Sequence, residues 1–327
     1  MAAEADLTGS APVLILTGPT GSGKSDWAMR LAGQWPVEII AVDSAQVFRG
    51  MDIGTAKPDM TARAAVPHHL LDILDPAQTY SAGQFAQDAI ALIAQVRARG
   101  HIPLLVGGTM LYLRALRQGI ARLPQGSPAL RAALDAAAQA RGWPALHAEL
   151  SRRDPEAARR IHPNDAQRIQ RALEVCQLTG QTLTELQRGS AIELRGPAPI
   201  WALVPEPRGV LHERIAARFN RMMAQGFLDE VRSLQGRGDL SPDHASMRAV
   251  GYRQLWEYCA GECTFETACE RAVAATRQLA KRQLTWLRND TGIRVVDPLA
   301  PGAFAAWSLE VGVALAGFMP EAAPVVD

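Results

Sequence analysis

The sequence predicts an α/β fold in which helices flank a parallel sheet and an all-helical lobe is inserted. Short apolar strands over residues 13–17, 37–42 and 102–106 alternate with amphipathic helices. From about Pro124 to about Arg188 the chain is rich in alanine and arginine and contains no recognisable strand. Alternation of strand and helix is typical of parallel sheets, which bind ligands at the carboxyl ends of their strands.

The later part of the chain returns to this pattern. Strands are expected at residues 199–204 and 293–296, and glycines separate helices expected over 208–224, 227–235, 247–259 and 264–289. The domain order that follows is a core first part at 12–123, a helical insertion lobe for RNA at 124–190, a core second part with C-terminal basic helices at 191–297, and a peripheral tail at 298–327.

Composition excludes several classes of protein. With 48% hydrophobic and 20% charged residues, the chain is neither disordered nor collagen-like. The formal net charge is +1, so any attraction to nucleic acid must come from a local basic patch. No apolar run reaches the roughly 20 residues that cross a bilayer, and the N-terminus carries acids where a signal peptide carries bases. We therefore expect a cytoplasmic protein without a membrane segment.

A glycine-rich segment follows the first strand. Residues 18–25 read GPTGSGKS and match GxxxxGK[ST] between a predicted strand and a predicted helix, which is the context of a phosphate-binding loop. Its backbone N–H groups can surround phosphate oxygens, Lys24 can neutralise phosphate charge and the Ser25 hydroxyl can bind Mg²⁺. The sheet is therefore expected to be P-loop NTPase-like, with a loop made of Gly18, Pro19, Thr20, Gly21, Ser22, Gly23, Lys24 and Ser25.

Two other strand ends bear on what this loop binds. Most such loops bind ATP or GTP, which makes a small-molecule kinase one interpretation. The strand at 102–106, however, ends in Gly107-Gly108-Thr109 and not in the aspartate that usually binds Mg²⁺ in an NTPase, which argues against nucleotide hydrolysis. Asp43 follows the strand at 37–42 and could accept a proton there. An aspartate at this place is also a good helix or turn cap, so position alone leaves both interpretations open.

Several longer segments resemble the bacterial tRNA dimethylallyltransferase family, also called tRNA isopentenyltransferases. The resemblance runs from about Val13 to about Arg288. It implies transfer of a dimethylallyl group from dimethylallyl diphosphate to N6 of the adenosine on the 3′ side of the anticodon, with Mg²⁺ and without ATP. The phosphate loop would then bind a prenyl diphosphate, in agreement with the uncharged strand end. The segments are, in order, GPTGSGKS, VDSAQVFRGMDIGTAKP, PHHLLDILDP, YSAGQF, PLLVGGTMLY, RIHPNDAQRIQRALEV, RAVGYRQLW and TRQLAKRQLTWLR.

The resemblance also implies roles for single residues. Asp43 would be the general base, Thr109 would lie beside it, and Arg218 would act on the diphosphate side of the site. Ser25 would be the protein ligand of Mg²⁺. The residues implied to contact tRNA are Asp43, Ser44, Ala45, Gln46, Thr109, Gln167, Arg168, Ile169, Gln170, Arg171, Arg248, Ala249, Val250, Gly251, Tyr252, Arg253, Arg277 and Lys281.

Basic residues offer an independent test of RNA binding. If residues 264–289 form one helix, then Arg277, Lys281 and Arg288 lie on one stripe, separate from the stripe of Ala272, Ala275, Leu279, Gln283 and Trp286. The basic stripe is either a solvated face or a phosphate-contacting surface, and the resemblance favours the second. The predicted lobe is basic as well, which suits an anticodon stem-loop, through Arg159, Arg160, Arg168 and Arg171.

Three other functions stay open at this point. A small-molecule kinase would turn over ATP without RNA. An RNA-binding protein with a regulatory phosphate loop would transfer no prenyl group, and a prenyltransferase acting on free AMP would have little use for the arginines of the insertion. The histidines His68, His69 and His162 have no companion ligands at metal spacing, which favours structural or phosphate-contacting roles. We expect the chain to act as a monomer.

Overall fold

The structure is a computed structural model, and it describes residues 12–121, 123–124, 126–189, 191–192, 194 and 196–316. The chain divides into two compact units. The core unit contains the chain up to Ser81, Asp88–Leu113 and the chain from Arg195 onward, and the lobe contains Ala82–Gln87 and Arg114–Leu194.

The strands are β1 (Leu14–Thr17), β2 (Val37–Val42), β3 (His68–His69), β4 (Ile102–Gly107), β5 (Ile120–Ala121), β6 (Ala191–Ile192), β7 (Ile200–Leu203) and β8 (Arg294–Val296). The helices are α1 (Lys24–Ala32), α2 (Met60–Ala65), α3 (Ala82–Ala98), α4 (Met110–Gln118), α5 (Pro128–Arg141), α6 (Trp143–Arg153), α7 (Pro155–Arg160), α8 (Ala166–Thr179), α9 (Leu183–Arg188), α10 (Arg208–Ala224), α11 (Phe227–Gly236), α12 (Tyr252–Cys259), α13 (Phe265–Arg288) and α14 (Ala303–Leu315).

A six-stranded parallel sheet organises the core unit and confirms the predicted fold class. Its order is β3-β2-β4-β1-β7-β8, and all its pairs are parallel. Strands β1, β2 and β7 are buried along their whole length and, apart from Thr17 and Glu38, apolar, as strands between two helical layers usually are. Register brings Val42 opposite Gly107, and the Thr17 hydroxyl donates to the Gly107 carbonyl oxygen at 2.9 Å. The carboxyl ends of β1, β2 and β4 therefore lie at one edge, where parallel sheets bind ligands.

One face of the sheet is covered by α1 and α14. Trp307 on α14 is buried, and its ring lies 5.2 Å from that of Trp27 and 6.1 Å from that of Trp201. The expectation of a peripheral tail is therefore wrong for residues 303–315, because this helix completes the core through Trp307, Val311 and Leu315. Residues 317–327 of that stretch lie outside the described residues.

A second core lies around the helices that follow β7. Phe219 on α10, Phe227 on α11 and Tyr252 on α12 pack with Phe48 and Met51 from the chain after β2. The predicted helix over 247–259 begins only at Tyr252, since Gly251 has φ 91°, which a right-handed helix does not allow.

The lobe has its own apolar core, built from Leu146, Leu150, Ile169 and Leu173. Its buried carboxylate, Glu174, accepts hydrogen bonds from the Arg131 and Arg171 guanidinium groups and from the Ser127 backbone N–H. The lobe also contains a short antiparallel pair of strands, β5 and β6. The sequence did not predict this pair, because strands of two residues show no recognisable pattern. In the described part of the chain, no helix is both long enough and apolar enough to cross a membrane.

Candidate active site

The phosphate-binding loop joins β1 to α1. Gly18 and Gly23 have φ of 143° and 95°, values that favour glycine, and a Cβ at Gly18 would overlap the Leu203 carbonyl oxygen. Gly23 is the N-cap of α1, so Lys24 and Ser25 stand in its first turn. The loop therefore places a helix N-terminus, a cation and a hydroxyl at the edge of the sheet, which is a favourable site for a phosphate group.

Lys24 is held inside this loop. Its Nζ donates to the carbonyl oxygens of Pro19 at 2.7 Å and Gly18 at 2.9 Å, and to Ser22 Oγ at 3.3 Å. Burial and the neighbouring Arg218 guanidinium lower the pKa of Lys24 to about 7, against the opposing effect of the Asp43 carboxylate. A bound anion would favour the ammonium form, so the affinity of this site for phosphate depends on protonation of Lys24.

Asp43 follows β2 and forms a turn with the next residues. Its Oδ1 accepts hydrogen bonds from the backbone N–H groups of Ala45 at 2.8 Å and Gln46 at 3.2 Å. Thr109 lies beside this turn, because its Oγ1 accepts a hydrogen bond from the Ser44 N–H at 3.1 Å. Oδ1 thus caps the turn, as one interpretation of Asp43 predicts. Oδ2 makes no hydrogen bond to the described residues, so the same carboxylate could also act as the acid–base group.

Arg218 comes to the site from α10. Its Nη2 donates to the Thr55 carbonyl oxygen at 3.4 Å. Burial lowers the pKa of Arg218, an effect that Asp43 opposes, and Arg218 in turn acts on Lys24. The sequence places Lys24, Asp43 and Arg218 far apart, and the structure brings all three charges together.

Gln283 belongs to the site, although the sequence only placed it on the helix stripe that is separate from the basic residues. Its Nε2 donates to the Gly108 carbonyl oxygen at 2.8 Å, and its Oε1 accepts from the Thr20 backbone N–H at 2.9 Å. Gly108 permits this approach, because a Cβ there would collide with the Gln283 amide. Helix α13 therefore ties the phosphate loop to the end of β4. A glutamine at a buried position of an otherwise apolar stripe is the signal that could have revealed this role.

These elements line one cavity of about 930 Å³ in the core unit. The phosphate loop, Asp43, Thr109 and Arg218 form its polar wall. Its apolar wall includes Met29, Val106, Ile215, Phe219, Met222 and Leu279. A site of this size and mixed lining suits a ligand with a charged group and a hydrocarbon part.

Ser25 fits the predicted Mg²⁺ role in its chemistry. Its hydroxyl is exposed, lines the cavity and makes no hydrogen bond within the described ranges. Mg²⁺ commonly takes few protein ligands and completes its shell with substrate phosphates and waters, so a single hydroxyl beside a phosphate loop is a suitable donor set. The end of β4 supplies no acidic ligand, since Gly107, Gly108 and Thr109 occupy it.

The predicted tRNA contacts in the core unit divide by exposure. Ser44, Ala45, Gln46, Arg248, Ala249, Val250 and Gly251 line the cavity. Tyr252 also borders the cavity, but it is buried, and its hydroxyl donates to Glu230 at 2.5 Å. Arg253 is exposed and pairs with Glu257 at 3.3 Å.

On α13 the predicted basic stripe is exposed, and only Ala272 and Gln283 of the other predicted stripe are buried. Arg277, Lys281 and Arg288 are exposed and have no ion pair with any described residue. Trp286, predicted on the stripe separate from the basic residues, is 40% exposed and lines the cavity. The buried side of the helix consists instead of Ala268, Ala272, Ala280, Gln283, Leu284 and Leu287.

In the lobe, the predicted contacts on α8 also differ in exposure. Gln167 and Arg168 are exposed, whereas Ile169 is buried in the lobe core and cannot present its side chain to RNA. Gln170 donates to Asp135 at 2.7 Å, and Arg171 donates to Glu174 and to the Pro124 carbonyl oxygen. Of the other lobe arginines, Arg159 is exposed and Arg160 donates to Thr184 and Gln187.

The histidines and Lys57 have structural contacts. His69 Nε2 lies 2.6 Å from the buried Glu38 carboxylate, and His68 Nδ1 lies 2.7 Å from the Val66 carbonyl oxygen. His162 Nδ1 accepts from the Asn164 N–H. The ammonium of Lys57 is buried and donates to Asp52, Asp72 and the Phe48 carbonyl oxygen. Lys57 therefore fixes the loop in which it lies.

Comparison with known proteins connects this site to a family. The family described as IPP transferase matches residues 46–290. A tRNA dimethylallyltransferase of Alkalilimnicola ehrlichii is 58% identical over 87% of this chain and 90% of its own length, and one of Bordetella pertussis is 56% identical over 90% and 95%.

Solved structures agree with this match. The full-length tRNA isopentenylpyrophosphate transferase of Bacillus halodurans has a TM-score of 0.67 at 36% identity, covering 93% of this chain and 96% of that one. A eukaryotic dimethylallyltransferase acting on tRNA has a TM-score of 0.79 at 26% identity, covering 95% and 81%. The fold, the length of the matches and their identity together show that this chain belongs to the tRNA dimethylallyltransferase family.

Proposed function

We propose that this protein transfers a dimethylallyl group from dimethylallyl diphosphate to N6 of the adenosine next to the anticodon, on its 3′ side, in tRNA. The observation that carries this proposal is the composition of one cavity. A phosphate loop, two cations and a carboxylate share it with an apolar wall, and the neighbouring strand end lacks the acid of a nucleotide hydrolase. The names of the relatives support the choice of tRNA and of the prenyl group.

The diphosphate would bind at the loop. Its charge would be met by the backbone N–H groups at the start of α1, by Lys24 and by Arg218. Diphosphate leaves more easily when its developing charge is neutralised, so these groups would assist cleavage of the bond between carbon and oxygen. Mg²⁺, held by Ser25 together with diphosphate oxygens and water, would supply further neutralisation at this place.

The adenine amino group is a weak nucleophile because its lone pair is delocalised into the ring. Asp43 would orient the amino group and accept its proton as the bond between nitrogen and carbon forms. Such general base catalysis typically contributes about 100-fold to 10,000-fold. The free Oδ2 of Asp43 makes this role compatible with the turn that its Oδ1 maintains.

The adenosine must leave its stack to reach the cavity. Extrusion of a base costs a few kcal/mol, and contacts with the protein would offset it. Unpaired loop bases are the parts of RNA that proteins read most readily, which suits an anticodon loop as substrate. The exposed basic stripe of α13 would contact the phosphates of the same RNA.

Incubation of the protein with labelled dimethylallyl diphosphate, Mg²⁺ and unmodified tRNA, followed by nucleoside analysis, tests the proposal. We expect label in N6-(dimethylallyl)adenosine. Parallel reactions with AMP as acceptor, and with ATP in the absence of RNA, test the two alternative enzymes. Transfer to AMP with none to tRNA, or ATP turnover without prenyl transfer, would contradict the proposal. The proposal includes a cytoplasmic location and a monomeric state. Sedimentation of the protein at micromolar concentration tests whether it is a monomer.

A further inference from the structure

Glu230 on α11 has an unusual set of partners for a carboxylate. It accepts hydrogen bonds from three consecutive backbone N–H groups: Asp52 at 2.8 Å and Ile53 at 2.7 Å to Oε2, and Gly54 at 3.1 Å to Oε1. The Tyr252 hydroxyl donates to Oε1 as well, at 2.5 Å. Among the described residues no lysine or arginine forms an ion pair with Glu230. Its charge is therefore satisfied by neutral donors that belong to the loop and to the buried Tyr252.

The far side of this loop holds groups of the active site. The Thr55 carbonyl oxygen accepts from Arg218 Nη2 at 3.4 Å and from Gln46 Nε2 at 3.2 Å. The backbone N–H of Gln46 in turn donates to Asp43 Oδ1 at 3.2 Å. One short segment thus joins Glu230 to the arginine and to the carboxylate of the proposed reaction.

The segment also packs directly on the helices that carry its anchors. Gly54 faces Phe227 at the start of α11 and Tyr252 at the start of α12, and a Cβ at Gly54 would overlap the Phe227 ring. The loop has a second anchor, Lys57, whose ammonium donates to the Asp52 carboxylate and to the Phe48 carbonyl oxygen. This second anchor keeps the loop attached when Glu230 is changed, so a variant at Glu230 can displace the segment without unfolding the core.

We propose that Glu230 is a positioning residue that places Arg218, and the turn of Asp43, by fixing the backbone of residues 52–54. The expected effect on prenyl transfer rests on the proposed function, whereas the expected effect on anion binding does not. Four hydrogen-bond donors surround the carboxylate, and its partners among the described residues include no hydrogen-bond acceptor. Glutamine in its place keeps the volume but offers one acceptor and two donors, so at least two of the hydrogen bonds are lost. The segment then moves, and the Thr55 carbonyl oxygen no longer holds Arg218 toward the anion.

The test is a double-mutant cycle on the affinity for inorganic pyrophosphate with Mg²⁺, measured by calorimetry on the full chain. Glu230→Gln should weaken binding about 10-fold, as expected when a partly buried carboxylate that accepts four hydrogen bonds is replaced. In an Arg218→Gln background the same change should alter the affinity less than about 2-fold, because Arg218, through which Glu230 acts on the anion, is already removed. The matched control is Glu213→Gln on the exposed face of α10, which should change affinity less than about 2-fold.

Equal factors for Glu230→Gln in both backgrounds, or no effect in either, would overturn the inference. If Glu230→Gln does not fold, Tyr252→Phe removes one of the four donors and keeps the ring packed on Phe227; it should give a smaller loss with the same dependence on Arg218. Pyrophosphate binding requires no prenyl transfer, so an inactive parent protein would contradict the proposed function and leave this test decisive. In an active parent, Glu230→Gln should lower kcat and leave the KM for tRNA unchanged.

Discussion

At the scale of single residues, the site depends on two neighbouring cations, Lys24 and Arg218, that are both shielded from solvent. Lys24 lies among loop carbonyl oxygens, and Arg218 lies near it with one hydrogen bond to Thr55. The pKa of Lys24 is lowered to about 7 by burial and by Arg218. The resting protein therefore holds less positive charge at this place than its sequence suggests, and a bound diphosphate restores it.

This arrangement makes anion binding depend on pH. Above pH 7 the neutral form of Lys24 predominates in the free protein, and an anion favours its protonation, so binding takes up protons and weakens as pH rises from about 7 to 9. Calorimetry of pyrophosphate binding at pH 8, in two buffers that differ in ionisation enthalpy, measures the proton uptake. Pyrophosphate exchanges protons of its own, so the comparison with Lys24→Met, which should take up fewer protons than the parent, isolates the share of Lys24. Equal proton uptake by the variant and the parent protein would refute the assignment.

Asp43→Asn separates the two roles of this side chain. The amide oxygen of asparagine can still accept from Ala45 and Gln46, so the melting temperature should stay within a few degrees of the parent value. The amide cannot accept the amino proton. Single-turnover transfer should therefore fall by about 100-fold or more, with tRNA affinity nearly unchanged. A rate within a few-fold of the parent would leave Asp43 as a turn residue only.

The sequence identified the individual chemistry of Gly18–Ser25 and Asp43, because a glycine pattern and a strand end are local signals. It could not place Arg218 beside them, because about 175 residues and several elements separate Arg218 from Asp43, and packing between elements decides that contact. Glu230 was missed for the same reason, because the backbone N–H groups that it binds lie about 175 residues earlier in the chain. Lys57 has nearby partners, Asp52, Asp72 and the Phe48 carbonyl oxygen, but no residue pattern showed that its ammonium is buried among them.

At the scale of elements, α13 combines three functions on three sides. One side packs in the core through Ala272, Ala280 and Leu284. Gln283 bridges the phosphate loop and the end of β4. Arg277 and Lys281 lie on the exposed side. Periodicity predicted the bounds of this helix to within a residue, but it placed Gln283 and Trp286 on one stripe, whereas Gln283 is buried and Trp286 is 40% exposed.

Gln283→Leu tests the bridge. Leucine preserves apolar packing but leaves the Thr20 N–H and the Gly108 carbonyl oxygen without their partner, which should reduce the free energy of unfolding by about 1–3 kcal/mol. Affinity for pyrophosphate should fall in parallel, since Thr20 belongs to the loop. Chemical denaturation and calorimetry measure the two effects. A variant as stable as the parent, with unchanged affinity, would show that the bridge does not hold the loop.

Lys281→Gln tests the exposed side of α13. If Lys281 contacts an RNA phosphate, its loss should reduce the slope of log affinity for tRNA against log salt by about 0.7 to 0.9. Arg294→Gln, at an exposed position of β8 outside the predicted tRNA contacts, is the control and should leave the slope unchanged. A slope for Lys281→Gln equal to that of the parent would assign this side of the helix to solvent.

At the scale of the whole molecule, the chain builds two units with separate cores. In the core unit, α14 returns to the sheet and adds Trp307 to a cluster with Trp27 and Trp201. In the lobe, Leu146, Leu150 and Ile169 form the core. Alternation of strand and helix predicted the sheet, and a stretch rich in alanine and arginine without strands predicted the helical insertion. It did not predict the packing of α14, because an apolar helix near the end of a chain has no periodic face that reveals its partner.

Trp307→Ala measures what α14 contributes. Removal of this buried ring from contact with Trp27 and Trp201 should lower the free energy of unfolding by about 3–5 kcal/mol. Trp307→Phe keeps most of the volume and should lower it by less. Urea denaturation followed by circular dichroism measures both. A loss below about 1 kcal/mol for Trp307→Ala would show that the helix is peripheral in solution.

The central claim is that this cavity adds a prenyl group to one amino group of one RNA nucleoside. Two anticodon stem-loops decide it: one with adenosine on the 3′ side of the anticodon, and one with inosine there, which carries an oxygen in place of the amino group. With dimethylallyl diphosphate and Mg²⁺ under single-turnover conditions, mass spectrometry should find one dimethylallyl group on the first RNA, at that adenosine, and none on the second. Equal modification of both RNAs, or modification at another nucleoside, would contradict the account.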